Sequence, residues 1–161
     1  PQAVVRTASG RFIWVDDDAV YLGEMAPTDQ TPAFFLRGWN EDEGGQAENR
    51  QRVVKFLELQ RDWDGQGLSE RVSEVNLQDL RDVRVQLAGD DSQIEVRLGS
   101  QEQAVRLRKA LTVLDAQRQT ARGPLISYID LSQGKRAIVG LTTGNRTVAE
   151  GTDSAQSPST R

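Results

Sequence analysis

Cysteine and histidine are both absent from the 161 residues. That excludes a disulfide framework, thiol catalysis, any Cys/His zinc site and the commonest general base at neutral pH. Basic residues do not predominate: 20 Lys and Arg stand against 24 Asp and Glu, a net charge of −4. A phosphate-tracking face for nucleic acid is therefore not expected. No apolar run approaches the roughly 18–20 residues of a membrane span, and no secretory leader is visible. The chain opens on Pro1, and an anchor further upstream is left open. What is present is ordinary for a globular domain: 37% hydrophobic residues, with three Trp, four Phe and two Tyr. One domain of this length can bury a real core.

Read along its length, the chain begins with a short extended run, Pro1–Arg6, followed by a β-rich run over Arg11–Val15. Asp16–Asp18 reads as a turn before Val20–Leu22. Residues 23–45 read as irregular, with Phe34, Phe35, Leu36 and Trp39 tucked against the core. A helix is predicted from about Ala47 to Trp63, with Val53, Phe56, Leu57 and Trp63 on one face. Arg52, Lys55, Glu58 and Asp62 then take the polar face, and Gly65 and Gly67 stop the helix. Val72–Asn76 reads as a strand. Val83, Val85 and Leu87, then Ile94, Val96 and Leu98, alternate with polar residues about a Gly89-Asp-Asp91 turn, the pattern of a hairpin solvated on one face. A second helix is expected to open at Ser100 with Gln103 completing a capping box, and to bury Ala104, Leu107, Leu111 and Leu114.

The most informative stretch is the closing hairpin, Leu125–Leu141. Placing Leu131 opposite Lys135 across Ser132-Gln133-Gly134 gives a three-residue loop with Gly in its last position. Asp130 then faces Arg136, Tyr128 faces Ile138 and Ile126 faces Gly140. This outer face is apolar at Ile126, Tyr128 and Ile138. Either a loop or Trp39 of the same molecule covers those residues, or they lie beside a free strand edge that receives a partner's strand. Residues 142–161 are Thr/Ser/Gly-rich and read as a disordered tail after the domain at 1–141. The expected architecture is α+β: an antiparallel sheet with two principal helices on one face and an open terminal edge strand.

Four stretches resemble the C-terminal β domain of the FtsQ/DivIB family of bacterial cell-division proteins. They are Pro1–Arg6, Phe12–Asp16 followed by Asp17-Asp18 (with Ala19 where Gly is usual), Ile94–Gly99, and Ile126–Leu131 through Ala137–Leu141. The resemblance implies a single-pass inner-membrane protein whose transmembrane helix and POTRA domain precede this periplasmic part. It implies a divisome scaffold with no enzymatic activity and no cofactor, linking early and late division proteins by accepting a strand of an FtsB/FtsL-type partner on its last strand. Carried over by position, the partner-binding residues are Arg81, Tyr128, Ser132, Gln133, Gly134, Lys135, Arg136, Ala137, Ile138 and Val139. The family's Arg and aromatic after the Asp-Leu pair are Ser132 and Gln133 here, and its final aromatic is Leu141. The isolated domain is expected to be monomeric.

Two acidic stretches invite other chemistry. Asp16-Asp17-Asp18 lacks the alternate ligands and closing Glu of a calcium loop, so no metal is assigned. Asp62-Trp63-Asp64 could supply paired carboxylates for sugar hydrolysis, but reads better as a helix end with its Trp docked inward. The alternatives to the scaffold are thus a carbohydrate-acting enzyme on these acidic turns and a self-associating envelope module that pairs the same edge with its own copy.

Overall fold

The computed structural model describes residues 1–134, 136–142, 144 and 146–149. The described strands are β1 (Gln2–Arg6), β2 (Phe12–Asp16), β3 (Tyr21–Glu24), β4 (Phe35–Arg37), β5 (Val72–Asn76), β6 (Val83–Leu87), β7 (Glu95–Gly99), β8 (Ile126–Asp130), β9 (Ala137–Leu141) and β10 (Arg146–Ala149). The helices are α1 (Gln46–Gly65) and α2 (Gln103–Gln117). All ten strands form one sheet in the order β10-β9-β8-β7-β6-β5-β4-β1-β2-β3.

The α+β class holds, but the sheet is mixed rather than antiparallel. β4 runs parallel to both β1 and β5, and β7 runs parallel to β8. The reason is in the connections. α1 lies between β4 and β5, and α2 between β7 and β8; a strand followed by a helix returns beside its predecessor as a parallel neighbour. The three-residue β4, inside the stretch expected to be irregular, fills the place between β1 and β5.

One core joins the sheet to both helices. Val53, Phe56, Leu59 and Trp63 of α1 and Leu107, Ala110, Leu111, Val113 and Leu114 of α2 share it with Val5, Val15, Val75, Val85, Val96, Ile129 and Val139. Phe34 sits at its centre, its ring 5.1 Å from Phe56 and 5.5 Å from Trp63. Arg52, expected on the polar face of α1, is buried instead. Its guanidinium donates to the carbonyls of Leu77 (2.9 Å) and Gln78 (3.0 Å) and to Asn49 Oδ1 (2.9 Å), and Glu48 lies 3.8 Å away, so the buried charge is met by acceptors.

Two further expectations change. The capping box at Ser100 is absent: α2 starts at Gln103 after Glu102, which sits in the left-handed region at φ 52°. Gln103 turns back toward the sheet, and Lys55 donates to its Oε1 at 3.3 Å, tying α1 to α2. The Asp16–Asp18 turn is braced by Asp16 Oδ1, which accepts N–H groups of Asp18 and Val20 at 2.9 Å each. Ala19 lies in that turn at φ 66°, a conformation glycine adopts without steric cost.

The closing hairpin pairs two residues away from the expected register. Asp130 faces Ile138, Ile129 faces Val139 and Tyr128 faces Gly140, with a bulge at Ser127. Tyr128 dictates this choice. A Cβ at position 140 would lie 1.9 Å from its Cε2, so only glycine leaves room for the ring. The bulge turns Ile126 into the core, at 5% exposure, and removes it from the outer face. Lys135, expected to close the turn, lies outside the described residues.

The largest correction concerns the edge. β9 is not the border of the sheet: β10 pairs with it antiparallel, Arg146↔Gly140 to Ala149↔Ala137. The region expected to be a tail after Thr142 therefore contributes a strand at Arg146–Ala149. Gly144, at φ 91°, donates its N–H to Leu141 O at 2.9 Å and allows the chain to reverse.

Candidate partner-binding surface

Sheet register places Arg81 and the β8–β9 turn at the same end of the sheet. Val83 pairs with Gly99, and a Cβ on Gly99 would come within 3.2 Å of Ser132 Cα. The chain just before β6 therefore shares a sheet end with the β8–β9 turn. Arg81 lies there with its side chain 89% exposed, 3.6 Å from Asp79. A groove of about 720 Å³ opens beside it, lined by Arg52, Gln78, Asp79, Arg81, Arg84 and Glu95 among others.

The turn itself is held from within. Asp130 Oδ1 accepts the Ser132 N–H at 2.8 Å and the Ser132 hydroxyl at 2.6 Å. Gln133, Gly134 and Arg136 are exposed, and Gly134 takes φ 105°. Ala137 and Val139 are fully buried, so their side chains face the core, and β10 pairs with their backbone on the outer side. Ile138 is half-buried on the opposite face.

That outer face carries two cross-sheet rows. The first runs Arg84, Arg97, Asp130, Ile138, Val148; the second runs Gln86, Glu95, Tyr128, Gly140, Arg146. Charge dominates the interior end. Arg84 donates to Asp82 and lies 3.5 Å from Glu95, which also accepts from Arg97 at 2.8 Å. The Asp82 carboxylate raises the Arg84 pKa above its ordinary value, burial opposing it in part. Toward the border the first row becomes apolar, while the second ends on the exposed Arg146. The Arg97 guanidinium sits 4.0 Å from the Tyr128 ring centre, and Ile138 faces Val148. Arg97 and Val148 belong to this surface and were not anticipated. The Gly144-Asn145 turn signal followed by Arg-Thr-Val would have pointed to β10.

The Asp16–Asp18 turn brings three carboxylates together. Their oxygens lie within 4.8 Å of one another, and Asp16 also braces its own turn through Oδ1. Trp63 is fully buried in the core, so it offers no platform for a sugar ring.

The profile of the cell division protein FtsQ/DivIB C-terminal domain matches residues 3–132. The chain belongs to the FtsQ/DivIB family. No curated protein matches it. FtsQ/DivIB proteins are non-enzymatic and serve cell division, and their C-terminal domain is the periplasmic-side domain of a membrane-anchored chain. Among the described residues no helix is long and apolar enough to cross a membrane. The matched stretch ends at Ser132, so β9 and β10 lie beyond it.

Proposed function

We propose that this FtsQ/DivIB domain is the extracytoplasmic platform of a divisome scaffold, and that it captures a segment of an FtsB/FtsL-type partner by main-chain pairing at the β8–β9–β10 end of its sheet. In the whole protein an inner-membrane anchor and a POTRA domain precede it. Arg81 and the turn Ser132–Arg136 flank the docking strip, Tyr128 and Ile138 form its apolar outer face, and the strands at this border supply backbone. The observation that carries the reading is the makeup of this border. A core-anchored strand, β9, is followed by a weakly buried one, β10, at the sheet border whose one end carries the β8–β9 turn. Backbone pairing needs no particular side chain, so it tolerates Ser132, Gln133 and Leu141 where the family carries an Arg and aromatics.

Site-specific photo-cross-linking tests this. A photoreactive side chain at Gln133 or Ile138 should cross-link the extracytoplasmic segment of an FtsB-type protein, and one at Leu22, on the opposite edge strand, should not. Cross-links from Leu22 with none from Gln133 or Ile138 would refute it.

A further inference from the structure

The chain itself occupies the rail proposed for docking, and it holds that rail weakly. β10 contributes four residues. Arg146 is exposed, Val148 is 46% exposed, and Thr147 and Ala149 are half-buried. Of these, Ala149 packs against the core, through a methyl group alone. By contrast Ala137, Val139 and Leu141 of β9 are all buried. A strand's hold on its neighbour combines ladder hydrogen bonds, which any backbone can supply, with apolar area covered, which depends on its side chains. β10 supplies the first and little of the second.

We propose that β10 is an exchangeable resident strand: an extended partner segment binds by displacing Arg146–Ala149 from β9. This rests on the platform reading above and adds to it a closed state and a kind of partner. The incoming segment runs antiparallel to β9, as β10 does. It carries larger β-branched or aromatic residues at the two positions held by Thr147 and Ala149, opposite Val139 and Ala137. Those side chains bury more apolar area of their own than a hydroxyl and a methyl do, and the segment wins on that area while the ladder bonds are exchanged one for one.

The cysteine-free sequence permits a reversible test. Ile138 and Val148 face each other; facing residues in antiparallel strands have Cα atoms about 4.5–5.5 Å apart, within the reach of a disulfide. In an Ile138→Cys/Val148→Cys chain, oxidation staples β10 to β9 and reduction frees it. The probe is the extracytoplasmic segment of an FtsB-type protein that the wild-type domain captures. The oxidised chain is expected to bind at least about tenfold more weakly than the same chain reduced, and a chain lacking residues 146–161 to bind about tenfold more tightly than wild type. Equal binding in both redox states overturns the exchange and leaves the platform reading intact, because the partner then docks without moving β10. If the reduced chain fails to bind because Ile138 is itself needed, the truncated chain decides: tighter capture supports exchange, and unchanged or weaker capture overturns it. A truncated chain that sediments as a dimer and no longer captures the probe also overturns it, making a second copy the occupant. Failure of the wild-type domain to capture the probe sinks the platform reading itself.

Discussion

Replacing Gly140 by Ala probes the register on which the binding corner is built. A methyl there would sit 1.9 Å from Tyr128 Cε2 and 2.2 Å from Cζ. Ordinary carbon contacts are about 3.5–4.0 Å, so the ring must move by roughly 1.5–2 Å. That displacement forfeits the Arg97–Tyr128 contact, worth about 0.5–1 kcal/mol at a partly exposed site. It also forfeits ring packing across the strands, worth about 0.2–1 kcal/mol. Against this, an alanine in extended backbone stabilises by about 0.5–1 kcal/mol relative to glycine. The net cost of Gly140→Ala is therefore small, about 0.5–1 kcal/mol destabilising. The decisive quantity is its sign when the ring is gone. In a Tyr128→Ala background the same substitution should stabilise by about 0.5–1 kcal/mol, a coupling of about 1–2 kcal/mol. Urea unfolding of the four chains measures it. An effect of the same sign and size in both backgrounds would refute the register and the role assigned to the ring.

Two further substitutions test the interior and the acid response. Arg52→Met should cost about 2–4 kcal/mol by urea unfolding, because it removes the donors that reach the Leu77 and Gln78 carbonyls. Asp115 accepts from Arg71 at 3.0 Å and from Arg118 at 3.2 Å, and these bonds, Arg71 first, hold its carboxyl below the ordinary carboxylate range. A depressed carboxyl stabilises the fold above its unfolded pKa of about 4, and that contribution disappears as pH falls through the lower folded value. Asp115→Asn should therefore be less stable than wild type at pH 7, by up to about 1 kcal/mol for so exposed a pair. The two unfolding curves should converge as the pH is lowered from about 5 to 2.

Local periodicity made much of the fold legible. Alternation placed β6 and β7 with their inward faces, and three- and four-residue spacing placed α1 and most of the buried stripe of α2. β5 needed only its β-branched run. Pairing was harder to read, because it is decided between segments distant in sequence. The alternating β6–β7 hairpin suggested an antiparallel sheet throughout, although helices spanning 20 and 15 residues between strands are crossovers that make parallel neighbours. At the closing hairpin, loop length and the Gly134 position argued for one register. The bulk of one ring against Gly140 decided for another. Arg52 reads as a surface charge until the two carbonyls that receive it are known. β10 was missed because Arg-Thr-Val-Ala carries too little apolar residue to look like a buried strand, and that same poverty makes its hold on β9 weak.

Amide hydrogen exchange of the domain, free and with an FtsB-type partner segment bound, tests the central claim most directly. In the complex, the β9 amides Ala137–Leu141 should stay protected while protection changes at Arg146–Ala149 and in the turn Ser132–Arg136. Unchanged exchange across that border, with new protection at Tyr21–Glu24 on the far edge of the sheet, would contradict it.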